Sequence, residues 1–158
     1  MKNIVPQIGN LLVAKKWTMA TAESCTGGLV SATLTDFSGS SAWFSGAVVA
    51  YSNEVKMSLL HVPKPIIMKH GAVSEPTVRE MAEGVCKTVG VDVGISLSGV
   101  AGPTGGTPEK PVGTVWMGWH VGGTTYSEKF LFSGDRMSVK QQSLHTILER
   151  LLNILQKS

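Results

Sequence analysis

Charge is scarce in this sequence. Asp, Glu, Lys and Arg make up 16% of it, and the basic residues gather no further than the pair Lys15 and Lys16. A nucleic-acid platform shows itself as a basic stripe interleaved with aromatic residues, so a nucleic-acid partner is not expected here. The net charge of +3 still suits a small anionic substrate. Cysteine is nearly absent: Cys25 and Cys86 are too few for a disulfide framework and lack metal-ligand spacing. The histidines, His61, His70, His120 and His145, are equally scattered, so neither a metal nor a cofactor is expected. The opening MKNIVPQIGNLL has no signal-peptide core or cleavage site. No apolar run nears the roughly 20 residues of a membrane span. A soluble cytoplasmic protein without a membrane partner is the expectation.

What is present is apolar and glycine-rich: 42% hydrophobic residues, with 18 glycines clustered in a few places. Such a composition builds a core rather than a disordered chain. Ile4, Ile8, Leu11 and Leu12 stand at helical spacing. Thr18 to Ala22 reads as a strand running into a turn and a helix over Leu29 to Leu34. The run FSGAVVAY, Phe44 to Tyr51, reads as a strand buried on both faces. Ser52 or Asn53 caps the helix that follows, and a proline-containing segment, Val62 to Ile66, interrupts the chain. Ser74 opens a longer helix with Pro76 in its first turn. Val93, Ile95 and Leu97 mark a central strand; Val112 to Val121 and Thr124 to Phe132 form a hairpin turning at Gly122-Gly123. Leu144, Ile147, Leu148, Leu151, Leu152 and Leu155 stripe a closing helix. Strands alternating with helices predict an α/β fold over residues 1–158, a single three-layer domain whose mixed sheet is covered by helices.

Chemistry is concentrated in four places. In Glu23-Ser24-Cys25-Thr26-Gly27-Gly28 a strand turns into a helix, and the first N–H groups of such a helix suit a phosphate or an oxyanion. The same pattern also fits a plain helix cap with packed glycines. Tyr51 and Lys56 fall at the carboxyl edge of the sheet, where α/β proteins bind ligands. A lysine early in a helix is otherwise a solvated surface group. The loop Ser98 to Thr107, containing Gly102, Thr104 and Gly105, follows a strand and reads as a substrate cradle; its spacing is not that of a dinucleotide fingerprint. In Gly134-Asp135-Arg136, Arg136 is either a phosphate grip or an exposed partner of Asp135. With no histidine suitably placed, a hydrolase built on this chain needs another base, and a lysine leads.

The motifs TAESCTGGLVSA, GSSAWFSGAVVAYSNEVKMSLL, HGAVSEPTVREMA, SLSGVAGPTGGTPEKPVGTVW and FSGDR, taken in order, run through nearly the whole chain. In them the sequence resembles the nicotinamide-mononucleotide deamidase family, also called the CinA C-terminal domain family. The resemblance implies an amidohydrolase of pyridine nucleotide salvage that converts nicotinamide mononucleotide and water to nicotinic acid mononucleotide and ammonia. It places Ser24, Tyr51 and Lys56 at the catalytic positions and implies a stand-alone form, without the amino-terminal domain many members carry. On this reading Lys56, with its pKa lowered by burial, takes the proton of Ser24, and Tyr51 relays or orients it. Thr26, Gly27 and Gly28 supply oxyanion N–H groups, and Gly102, Thr104, Gly105 and Arg136 hold ribose and phosphate. Cys25 is the alternative nucleophile, if a helix start lowers its pKa.

Other functions share these motifs. The same pocket without turnover makes a regulatory nucleotide-binding module, and the family's competence and DNA-damage name suggests a partner-binding protein. A homodimer is expected, since four tryptophans in so small a chain favour an exposed pairing face.

Overall fold

The computed structural model describes residues 1–158. Its strands are β1 (Met19–Glu23), β2 (Phe44–Val49), β3 (Val93–Gly99), β4 (Thr114–Val121) and β5 (Thr124–Leu131), in one sheet of order β2-β1-β3-β4-β5. β1 runs parallel to both its neighbours, whereas β3–β4 and β4–β5 are antiparallel. The helices are α1 (Ile4–Lys15), α2 (Leu29–Thr35), α3 (Asn53–Ser58), α4 (Lys64–His70), α5 (Glu75–Val89) and α6 (Arg136–Lys157). The mixed sheet lies between two helical layers, as the alternation of elements predicts. No helix is long and apolar enough to cross a membrane.

The two faces of the sheet differ in side-chain size. On one, Ile95 and Leu97 pack with Ile8 and Leu12 of α1 and Ile147 and Leu151 of α6 in the larger core. On the other, Ala20 and Ala22 meet Val78, Met81 and Val85 of α5. β3 shows how period-two alternation produces this: Val93, Ile95 and Leu97 enter the larger core, while Gly94 and Ser96 face α5. Ser96 Oγ donates to the Val78 carbonyl at 2.6 Å, and Gly118, its partner on β4, admits the helix closely. A Cβ at Gly118 would stand 2.6 Å from both the Val78 oxygen and Ser96 Oγ.

Two expectations need correction. β2 is not buried on both faces; it is the sheet edge, and its residues alternate between half-buried and exposed. Only β1 pairs with it, so the apolar run FSGAVVAY covers one face rather than two. The proline-containing segment interrupts only as far as Pro63, which stands at the N-cap of α4; Pro65 lies in that helix's first turn, where a missing N–H costs nothing. The hairpin turns at Gly122 and Gly123, both with positive φ, as expected.

Gly118→Ala is expected to force α5 off the sheet and to cost about 1–3 kcal/mol. A melting curve several degrees below that of the wild type would register it; an unchanged midpoint would mean that the helix has room to spare.

Candidate active site

β2, β1 and β3 run parallel and end at one edge of the sheet. From β1 the chain passes through α2 to β2 on one side, and β2 connects through α3–α5 to β3 on the other side. A crevice opens where connections diverge in this way. Ser24 follows β1, Tyr51 follows β2, and Ser98 and Gly99 end β3, so three separate motifs reach the same place.

Lys56 is 1% exposed, the reverse of a solvated surface lysine. Ser52 fixes the helix that carries it, accepting from the Val55 N–H at 3.2 Å as N-cap of α3. The Lys56 amine lies 2.9 Å from Ser24 Oγ, 2.8 Å from the Ala50 carbonyl and 3.2 Å from the Tyr51 carbonyl. Carbonyl oxygens only accept, so they hold two N–H bonds of the amine. The third position faces a hydroxyl, which can donate as well as accept. An ammonium fills the three positions as donor, and a neutral amine fills them with its lone pair toward the serine proton. Burial lowers the Lys56 pKa from the ordinary lysine value; the neighbouring Cys25 opposes that shift. No carboxylate pairs with Lys56, for the ion pairs are His145–Glu149 and Arg150–Glu128.

The turn after Ser24 is held by a residue that sequence reasoning passed over. Glu23, fully buried, accepts four hydrogen bonds: from Thr21 Oγ1 (3.1 Å), Thr26 Oγ1 (2.7 Å), Val30 N–H (2.9 Å) and Ser31 N–H (2.9 Å). Its carboxylate therefore occupies the N-terminus of α2, the anion site expected for the substrate. The signal was available, as a lone acid ending the otherwise uncharged strand MATAE.

Thr26, Gly27 and Gly28, expected at the substrate, accordingly do not line the cavity. The Thr26 hydroxyl is spent on Glu23, and the Gly27 N–H donates to the Ser24 carbonyl at 3.1 Å. Gly28 caps α2 with φ +104°. The N–H groups of Cys25 and Thr26 are outside the backbone hydrogen-bond network. Burial, aided by Glu23, pushes the Cys25 thiol up to about 11.

Ser24, Cys25 and Lys56 open on a cavity of about 380 Å³ walled by Tyr51, Asn53, Ala72, Val73, Arg136 and the loop from Ser98 to Gly105. Gly102, Thr104 and Gly105 are in that wall, Gly102 buried and the other two exposed at the rim. Arg136 is not the partner of Asp135, whose carboxylate instead accepts from the Ser138 N–H at 2.9 Å. Its guanidinium donates to the Gly102 carbonyl at 2.8 Å and to the Tyr51 hydroxyl at 3.3 Å. The phenol of Tyr51 is thus at the mouth, 65% exposed, and the relay expected of it has no gap to bridge, since Lys56 touches Ser24 directly. A larger cavity, about 480 Å³ between β5 and α6, is lined by Trp119, Glu128 and Arg150, the last two an ion pair.

The CinA C-terminal domain model matches residues 1–155. The chain is similar to the nicotinamide-nucleotide amidohydrolase PncC of Enterobacter agglomerans, 49% identical over 151 residues that cover 92% of each chain. It is 47% identical to that of Escherichia coli, covering 92% of this chain and 88% of that protein. A Clostridium perfringens protein named for competence and damage induction is 48% identical over 95% of this chain, which spans only 36% of that relative's length. A crystal structure of a competence-damaged protein (CinA) superfamily protein from Klebsiella pneumoniae superposes with a TM-score of 0.94 at 35% identity, covering 98% and 97% of the two chains.

Glu23→Gln turns an amide NH₂ toward donors that already point at the carboxylate. It is expected to cost about 1–3 kcal/mol in urea unfolding; an unchanged midpoint would mean that the turn does not depend on the charge.

Proposed function

This chain belongs to the CinA C-terminal domain family, and from that premise we propose that it hydrolyses the amide of nicotinamide mononucleotide to nicotinic acid mononucleotide and ammonia. The observation that carries the reading is the 2.9 Å contact between Ser24 Oγ and the buried amine of Lys56. Relatives named nicotinamide-nucleotide amidohydrolase, alike over most of both chains, supply the substrate.

Ser24 Oγ attacks the carboxamide carbon while its proton passes to the lone pair of Lys56. The carbonyl oxygen becomes an oxyanion, which takes the N–H of Cys25, a cavity residue whose amide has no backbone partner. Collapse of the tetrahedral species breaks the C–N bond, and the Lys56 ammonium returns its proton to the departing nitrogen, which leaves as ammonia. A nicotinoyl ester remains on Ser24. Lys56, neutral again, deprotonates a water that cleaves the ester and frees the carboxylate product. The carbonyls of Ala50 and Tyr51 keep the amine aimed throughout. The ring of Tyr51 and the Ser98–Gly105 loop close around the nucleotide. Every proton that Lys56 takes it gives back, so the cycle needs no other base.

The setting we propose is the cytoplasm, where Cys25 and Cys86 stay free. The proposed unit is a homodimer, with exposed Val49 and Tyr51 at the sheet edge as its support.

Ammonia release from nicotinamide mononucleotide tests the chemistry. Ser24→Ala and Lys56→Ala are each expected to lower kcat by about a thousandfold or more, and Cys25→Ala to leave it within a fewfold. Retained turnover in Ser24→Ala with loss in Cys25→Ala would reverse the assignment. Binding without turnover in the wild type would leave a regulatory module. Because burial depresses the Lys56 pKa, the reactive neutral form is gained as pH rises. kcat/KM should therefore climb with pH along a limb centred below 10.5, the ordinary lysine value.

A further inference from the structure

Two walls of the active cavity are loops: Ser98 to Gly105, and Ala72 with Val73 between α4 and α5. Their backbones are held very differently. The Gly71 carbonyl, just before the second loop, accepts from Ser74 Oγ at 2.8 Å and from Thr77 Oγ1 at 2.7 Å, which fastens that turn to the start of α5. Residues 101–106 of the first loop make no hydrogen bond from main chain to main chain. They arch over Val112 instead: a Cβ at Gly102 would stand 2.4 Å from its Cγ1, and one at Gly106 would stand 2.8 Å from its nitrogen. At the near end Arg136 holds the Gly102 carbonyl.

The far end is held by Lys110. Its N–H donates to Thr107 Oγ1 at 3.0 Å and its carbonyl accepts from the Thr107 N–H at 3.0 Å, so Lys110 is rigidly tied to the end of the loop. Its amine crosses to α4 and donates to the His70 carbonyl at 2.7 Å. That carbonyl closes α4, where the helix leaves acceptors unpaired and its dipole favours a cation. Gly71, with φ +78°, keeps the approach open: its Cβ would stand 3.1 Å from the lysine nitrogen. No carboxylate competes, since Lys110 takes part in neither ion pair of the molecule.

We propose that Lys110 is a positioning residue, which straps the glycine-rich loop to the α4–α5 connection and so fixes the width of the cavity that receives the nucleotide. The strap rests on the proposed amide hydrolysis for its substrate, not for the fastening itself. Lys110 is outside the cavity lining and acts only through the loop. With the strap cut, residues 101–106 keep Arg136 alone, and ordering them again at each binding event is a cost that falls on affinity. The contact of Ser24 with Lys56 belongs to other elements and keeps its geometry.

The experiment uses Lys110→Met, which keeps the stem and removes the donor, and Lys110→Arg, which supplies a donor again. Backbone ¹⁵N relaxation at residues 104–107 is measured beside initial rates on nicotinamide mononucleotide. In Lys110→Met the order parameters are expected to fall from about 0.85 to about 0.6 or below. KM should rise roughly tenfold with kcat within about twofold, and Lys110→Arg should restore most of both losses. The melting midpoint should hold, because Lys110 belongs to neither hydrophobic core. A loop equally ordered in wild type and Lys110→Met overturns the strap, as does a freed loop with unchanged KM or a loss confined to kcat. If the wild type releases no ammonia, relaxation alone decides: a loop freed only in Lys110→Met keeps the strap while the amide chemistry falls.

Discussion

A lysine amine removed from water, pinned by two main-chain carbonyls and touching a serine hydroxyl, is the constraint around which this site is organised. Burying a charged ammonium without a carboxylate costs several kcal/mol, and that cost displaces the Lys56 pKa downward. The surroundings follow from it. β2 must end at Val49 so that the next two carbonyls turn inward, α3 must start at once so that Lys56 reaches back, and Ser52 caps that short helix. A carboxylate beside the amine would hold it charged and remove the base. None is among the residues that line the cavity.

Charge is divided accordingly. The single buried acid at this end of the sheet, Glu23, is turned away from the cavity and consumed by α2 and its flanking hydroxyls. It spends the helix N-terminus on structure rather than on substrate. On the other side of the cavity stands Arg136, at the start of α6, donating to the Gly102 carbonyl and the Tyr51 hydroxyl. Ser24 thus sits between a turn fixed by an internal carboxylate and a cavity wall that carries Arg136.

The layers were legible in the sequence because period 2 and period 3.6 patterns are strong in β3, α5 and α6, and the glycine pair at 122–123 marks its hairpin. β2 misled because an apolar run records how greasy a strand is and not how many neighbours it has. At the site, the resemblance brought Ser24, Tyr51 and Lys56 together, whereas residue patterns alone left a helix cap and a surface lysine open. Thr26, Gly27 and Gly28 fall outside the cavity lining for a local reason: helix N-termini attract anions, and the competing anion was Glu23, one position before the serine.

The neutrality of Lys56 is the claim from which the chemistry follows, and it can be read without any turnover. An NMR titration of the Lys56 side chain, isotopically labelled and assigned through Lys56→Arg, reports its protonation directly. A midpoint below the ordinary 10.5 is expected, on the side to which burial displaces it. A midpoint at or above 10.5 would mean a charged amine beside Ser24, able to orient the hydroxyl but not to take its proton.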